Sequence, residues 1–443
     1  MRPFFSILAL LAFVMTLRPA HAATPDEAER LYRAYGDAVY QVKVIDITSE
    51  KKNALGTGFQ ITRDGLLATN YHVVSEALHN PSHDRLVYVS NKGVTGALTI
   101  EDVDVIHDLA IVKMQKPGKQ WLRLGTSRLP KGTALYSIGN PNDLGFTIVP
   151  GTFNGLSYDS FTKNIHFSGS INPGMSGGPA LQRNGRVAGI NVETAGNGIG
   201  FLVPVEHLKT LLAHDSKMPP DYDFTAHADD HLQQQLLASQ NSNIGELLSD
   251  KHWESMPFGP VRVPGHINKA LKCWGDRNTS TDRLDAYFSI CMTQDRLFLY
   301  EGFYTGSVLY RYDYYIPKKN VSLLQFYSFY QNQFATPEAD YQNAKQGDVT
   351  NFACNSSFIW HAGFRWKVSF CIRQYKLYPK IFDMHLYMAL IGAGRKGFVV
   401  TLMAQGVSQE NALALARRFI EEIKPRKEKT ASLPKKHGTG GKG

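Results

Sequence analysis

The stretch Gly174-Met175-Ser176-Gly177-Gly178-Pro179 constrains this 443-residue chain more than any other. Three glycines and a proline in six residues favour a sharp backbone turn over a helix or a regular strand, and the turn carries one hydroxyl. Two earlier segments set a histidine and an aspartate beside apolar runs: Ala68-Thr69-Asn70-Tyr71-His72-Val73-Val74, and His107-Asp108-Leu109-Ala110-Ile111-Val112. Those runs read as strands or as the turns leaving them. The region around them is strand-rich, its apolar runs separated by Gly, Asn and Asp turns.

The three residue types suit one chemistry. A serine hydroxyl is a weak nucleophile, so an imidazole must take its proton as it attacks an acyl carbon. His72 is the candidate base. A buried carboxylate then fixes the imidazole tautomer and stabilises the imidazolium without becoming protonated, and Asp108 fits that role. The glycines let the N–H groups of Gly174 and Ser176 point at a developing oxyanion. Each segment alone reads as readily as a tight turn or a satisfied core histidine; the order His, Asp, Ser across all three is what argues for a catalytic triad.

With Gly56-Thr57-Gly58-Phe59, Ile138-Gly139-Asn140-Pro141, Ile171-Asn172-Pro173 and Gly198-Ile199-Gly200-Phe201, these segments resemble in order the HtrA (Deg) type of trypsin-like serine protease over about residues 31–208. The resemblance implies two packed six-stranded β-barrels with the triad in the cleft between them, and no metal or organic cofactor. It also implies that Ile171 and Asn191, Val192, Glu193 and Thr194 line the specificity pocket. Nothing there supplies an acid at the pocket base, so a small or medium apolar side chain is expected before the scissile bond; an inward Glu193 carboxylate would admit basic side chains instead. Met175 departs from the pattern, since pancreatic-type enzymes have Asp and HtrA-type enzymes usually Asn before the nucleophile. Met175 cannot form the Asp–N-terminus ion pair, so activation by that route is not expected. No Gly-Leu-Gly-Phe-like carboxylate-binding loop of a PDZ domain follows Leu208.

The ends of the chain carry other signals. Arg2, an apolar run from Phe4 to Leu17 and Ala20-His21-Ala22 read as a signal peptide over residues 1–22, so export to the periplasm or the medium is expected. No later run is long and apolar enough to span a bilayer. The formal charge is +9, and seven Lys/Arg against Glu428 sit in residues 424–443, which reads as a disordered basic tail. With that tail and the two arginines of the signal peptide set aside, the body is almost neutral, which argues against a nucleic-acid partner.

The remaining organisation follows composition. A protease domain is expected over 23–213, a helical connector over 214–260 and an α+β domain over 261–423. His227 and His231 stand four apart, but Ala228 occupies the place where a zinc-protease motif needs Glu, so both are read as exposed linker histidines. All four cysteines, Cys273, Cys291, Cys354 and Cys371, lie in the C-terminal half and imply disulfides in an exported chain, with local pairing the economical connectivity. Because the triad lies outside both loops, reduction is expected to spare small-peptide hydrolysis. The segments Ser289-Ile290-Cys291-Met292-Thr293-Gln294 and Ser369-Phe370-Cys371-Ile372-Arg373-Gln374 echo one another and hint at an internal duplication. The expected function is that of an exported serine endopeptidase acting on unfolded protein or peptide substrates through an acyl-enzyme. The alternative is a non-catalytic, chaperone-like binding protein that uses the protease fold as a scaffold.

Overall fold

A computed structural model describes residues 27–426 apart from 158, 197, 220, 282 and 336–343, and omits the side chains of residues 193–196 and 335. The expected signal peptide and residues 427–443 of the expected tail lie outside the described residues.

Twelve strands form two closed barrels. The first runs in the order β1-β2-β3-β6-β5-β4, with β1 Val39–Asp46, β2 Lys52–Gln60, β3 Leu66–Thr69, β4 Asp84–Ser90, β5 Thr95–Asp104 and β6 Leu109–Met114. The second runs β10-β11-β12-β9-β8-β7, with β7 Ala134–Gly139, β8 Thr147–Leu156, β9 Ile165–Phe167, β10 Pro179–Leu181, β11 Val187–Gly196 and β12 Ile199–Pro204. Closure leaves no strand edge unpaired. Phe59 of β2 shares one buried cluster with Ile138 of β7 and Ile190 of β11, so the barrels are joined by apolar side chains from both. This is the double-barrel architecture that the resemblance implies.

Four helices accompany the barrels: α1 Glu27–Tyr35, α2 Tyr71–His79, α3 Val205–Asp215 and α4 Phe224–Ser249. The Val73-Val74 run, which follows the strand β3, belongs to α2, so His72 stands in the first turn of a helix. The long helix α4 is more than a connector. Its residues Phe224, Ala228, Leu232 and Leu236, spaced four apart, enter the first barrel's core, whereas Ile244 and Leu247 enter the core of the C-terminal half. A helix buried in different directions at its two ends shows no single apolar stripe.

Beyond α4 lie β13 Ser255–Phe258, β14 Val261–Pro264, β15 Leu271–Asn278, β16 Leu284–Thr293, β17 Leu297–Tyr300, β18 Phe303–Thr305, β19 Val308–Pro317, α5 Leu323–Ala335, β20 Ala353–His361, β21 Phe364–Gln374, β22 Phe382–Ile391, β23 Gly397–Val407, α6 Gln409–Glu421 and β24 Lys424–Pro425. A seven-stranded antiparallel sheet, β15-β16-β19-β23-β22-β21-β20, dominates. Helix α6 begins at Ser408, whose side chain accepts from the Asn411 N–H, and buries Ala412, Leu415, Ala416 and Phe419. Cys273 pairs with Cys291 across β15 and β16, and Cys354 with Cys371 across β20 and β21. The two echoing segments thus fall on the second strand from each edge of the sheet, each stapled to its edge neighbour. That equivalence of place supports the duplication.

The C-terminal half is not a free-standing unit. Between β16 and β19 the chain leaves the sheet as the β17–β18 hairpin, and Leu299 and Phe303 from it join the first barrel's core together with Tyr375, Tyr378 and Ile381 from the β21–β22 loop. Burial of such side chains contributes about 1.5–3 kcal/mol each.

Candidate active site

The nucleophile turn is shaped by its glycines. Gly174 has φ +92°, and a Cβ there would come 2.4 Å from the Asn140 carbonyl oxygen. Gly177 has φ +84°, and a Cβ there would meet the Thr57 carbonyl oxygen at 2.2 Å. No other residue type fits either place without displacing backbone. The Met175 N–H donates to Asn172 O at 3.0 Å, closing the turn with Pro173 and Gly174 at its centre. Among the described residues, the N–H groups of Gly174 and Ser176 have no hydrogen-bond partner.

His72 and Asp108 meet from the other barrel. The His72 Nδ1–H donates to Asp108 Oδ2 at 2.6 Å, and the His72 backbone N–H donates to Oδ1 at 2.8 Å. An ionised carboxylate only accepts, so this bond fixes a ring proton on Nδ1, and in the neutral ring the basic nitrogen is Nε2. Asp108 stands at φ +53°, a left-handed conformation that costs about 1–3 kcal/mol when held by a non-glycine residue, although aspartate tolerates it better than most. The two bonds from His72, and a third from Asn70 Nδ2 to the Asp108 carbonyl at 2.7 Å, hold it there. The loop before it is fixed by Asp104, which accepts from the Ile106 and His107 backbone N–H groups and from the His107 ring. Burial raises the Asp104 pKa, but the bonds and charge of His107 outweigh it and hold the carboxyl below its usual range.

Ser176 reaches the same cleft. Its Oγ–H donates to Val192 O at 3.2 Å, and Val192 lines one cavity of about 390 Å³ with His72 and Asp108. The turn is tied across the barrel junction by Thr57 of β2. Its backbone N–H donates to Ser176 O at 2.8 Å, its hydroxyl donates to Gly174 O at 2.6 Å, and that hydroxyl accepts from the Asn140 N–H at 3.1 Å. Nothing in the local sequence marks Thr57 for this task.

Two residues expected in a specificity pocket, Asn191 and Ile171, are buried. Asn191 is fully buried beneath the turn: its amide donates to the Met175 and Ile138 carbonyls and accepts from the Ser137 hydroxyl. It braces the turn because a buried amide must satisfy both its ends. Ile171 is buried in the second barrel's core beside Phe167 and Met175. Met175 itself has no exposed surface, so an apolar side chain suits the position where an acid or amide was expected by family pattern. Val192 lines the cleft, and the side chains of Glu193 and Thr194 lie outside the described residues.

The C-terminal half supplies part of the cleft wall, which sequence reasoning missed. Phe298 of the β17–β18 hairpin stands edge-on to the His72 ring, 6.0 Å between centroids. Just before it, Asp295 accepts from the Phe161 N–H at 2.8 Å, tying the hairpin to the second barrel, and the Arg296 guanidinium lies 4.5 Å from the Tyr304 ring centre. On the first barrel, Tyr71 donates to Leu299 O at 2.5 Å and meets His79 Nε2 at 3.0 Å. Hydrogen bonds thus tie the hairpin to both barrels beside the catalytic histidine candidate.

Comparison with known proteins agrees with this geometry. Residues 56–190 match the trypsin-like peptidase domain family. The double barrel is thus similar to a trypsin-like peptidase domain, and the similar curated proteins are serine proteases of the DegP and HTRA kinds. The chain is 37% identical over 162 residues to a probable periplasmic serine endoprotease, DegP-like, of Chlamydia trachomatis, covering 34% of this chain and 31% of that protein. It is 32% identical over 218 residues to the zebrafish serine protease HTRA1B, 44% of each chain, and 32% identical over 166 residues to the mitochondrial serine protease HTRA2 of Drosophila pseudoobscura, 35% of this chain and 38% of that one. The chain therefore spans less than half the length of these relatives.

Proposed function

We propose that the protein is an exported serine endopeptidase that hydrolyses peptide bonds of unfolded protein substrates through an acyl-enzyme on Ser176. The 2.6 Å bond between His72 Nδ1 and Asp108 carries this reading, because it holds the imidazole in the tautomer whose basic nitrogen is Nε2, the orientation a general base needs. In the reaction Ser176 Oγ turns from Val192 O toward His72, gives up its proton to Nε2 and bonds to the substrate carbonyl carbon. The oxyanion takes hydrogen bonds from the Gly174 and Ser176 N–H groups, and the imidazolium then protonates the leaving amine. Water repeats the sequence and releases the acid.

Export rests on the charged and apolar leader pattern of residues 1–22, and the periplasmic name of the bacterial relative supports it. For the side chain before the scissile bond, apolar preference remains the reading, with the cleft wall formed by Val192 and Phe298.

The test is hydrolysis of a denatured protein by purified mature enzyme. Ser176→Ala, His72→Ala and Asp108→Asn should each lower kcat/KM by roughly 10⁴ to 10⁶ without unfolding the protein, and the losses should not add. Wild-type-like hydrolysis by Ser176→Ala would contradict the mechanism. A preference for cleavage after Lys or Arg, lost in Glu193→Ala, would contradict the apolar assignment.

A further inference from the structure

Sequence reading treats His231 as an exposed linker residue; the structure packs it against the first barrel. There Asp102 at the end of β5, which has no exposed surface, faces two imidazoles from different helices. His214 in the last turn of α3 meets Asp102 Oδ2 through Nδ1 at 2.7 Å, and His231 of α4 meets Oδ1 through Nε2 at 3.4 Å. One ligand atom from each of the three lies within 4.8 Å of the other two.

The protons in this cluster can be placed. Gln235, one turn beyond His231, accepts from the Val105 N–H through Oε1 at 2.8 Å and donates from Nε2 to Val103 O at 2.7 Å. Reversing the amide would set N–H against N–H and oxygen against oxygen, so Nε2 is the donor. That same Nε2 lies 2.7 Å from His231 Nε2, which must therefore present its lone pair. The Gln235 N–H takes that lone pair, and Asp102 Oδ1 lies 3.4 Å from the same nitrogen with no histidine proton between them. Among the described residues, Oδ1 accepts from the Val103 N–H alone, at 2.8 Å.

We infer that Asp102, His214 and His231 form a binding site for a divalent transition-metal cation of the zinc class. Tetrahedral zinc with bonds of about 2.0–2.1 Å to nitrogen and oxygen separates neighbouring ligand atoms by about 3.3 Å. The Asp102–His231 pair already stands at that spacing. His214 must open from 2.7 Å by about 0.6 Å to reach the same spacing, and its half-exposed ring has room to move. On binding, the metal takes the His231 Nε2 lone pair in place of the Gln235 N–H, so the Gln235 amide must swing away from its bonds to Val103 O and the Val105 N–H. The His214 proton moves from Nδ1 to Nε2. The fourth position opens on a cavity of about 550 Å³ lined by His107, His214 and His231, where water can complete the tetrahedron.

The site joins β5 of the first barrel, the helix that closes the second barrel, and the helix that leads to the C-terminal half. It also lies at the foot of the loop that carries Asp108. A bound cation would cross-link three elements that otherwise meet only through packing and hydrogen bonds.

Calorimetric titration of chelator-treated mature protein with Zn²⁺ in a non-coordinating buffer at pH 7.5 tests this. One stoichiometric site is expected. It should be unaffected by a large excess of Mg²⁺, which prefers oxygen donors, and weakened more than tenfold in both His214→Ala and His231→Ala. His214→Ala alters a half-exposed ring, so a wild-type circular dichroism spectrum and melting temperature without metal would show that its loss is local. His227→Ala, on the exposed face of α4, should bind like wild type. Absence of a stoichiometric site, or binding unchanged in both ligand variants, would overturn the inference. Neither result bears on the Ser176 chemistry.

Discussion

At the scale of single residues, the triad candidates were legible because each carries its chemistry inside a short motif, while the residues that hold them in place were not. Thr57 is 117 positions from Gly174, and the hydroxyl–carbonyl bond between them exists only once the two barrels meet. Asn191 was legible as belonging near the nucleophile, but its role as a buried brace follows from where Met175 O and Ile138 O fall in the fold. Replacing Thr57 by the isosteric valine leaves the Gly174 carbonyl and the Asn140 N–H without that partner in a buried setting. The expected cost is about 1–3 kcal/mol of stability. Because the proposed mechanism draws on the Gly174 N–H at the oxyanion, kcat should fall by roughly ten- to a thousandfold, with KM little changed. Urea unfolding and steady-state kinetics on Thr57→Val check both, and unchanged kcat would show that the brace is not needed to shape the turn.

Among the elements, the β17–β18 hairpin and α4 decide how the halves are joined. An α+β domain over 261–423 was readable, but not that β17 and β18 would leave its sheet to pack on α2. Helix α4 was readable from leucines and helix-forming residues, but its two burial directions leave no stripe that would show what it touches. Beneath the hairpin, His79 is buried among Tyr71, Tyr300 and the Leu299 carbonyl, with the Asp229 carboxylate 3.9 Å from its Nδ1. Burial pushes its pKa from 6.5 down to about 4. The unfolded chain therefore binds more protons between those values, and the stability present above pH 6.5 is lost as pH falls toward 4. Between pH 7 and pH 5 the loss from His79 is about 2 kcal/mol. His207, also pushed down to about 4 by burial and by His107, adds a loss of the same sign. In urea titrations, His79→Gln should therefore lose less stability than wild type over this interval; equal losses would show that His79 does not stay neutral in the fold.

For the whole molecule, the sequence separates the two barrels from the disulfide-bearing half, and the structure joins them. The two-barrel architecture was legible because its motifs recur in fixed order. The shared core was not, since Leu299, Phe303 and Tyr378 carry no mark of the partner surface they meet. The expectation that reduction spares small-peptide hydrolysis is revised accordingly: Cys291 lies on β16, four residues before Asp295 and seven before Phe298, which contact the second barrel and His72. Loss of an 18-residue loop constraint costs about 3 kcal/mol in the chain-entropy model. Cys273→Ala with Cys291→Ala should therefore raise KM for a peptide substrate more than Cys354→Ala with Cys371→Ala does, and equal effects in peptide kinetics would argue against coupling through the hairpin. The central claim, that Ser176 is the nucleophile of a working triad, is tested most directly by reacting the folded mature protein with a fluorophosphonate and locating the adduct by peptide mass spectrometry. The account predicts one adduct on Ser176, absent in Ser176→Ala and strongly reduced in His72→Ala. A folded protein that takes no adduct, or one labelled equally in Ser176→Ala, would contradict it.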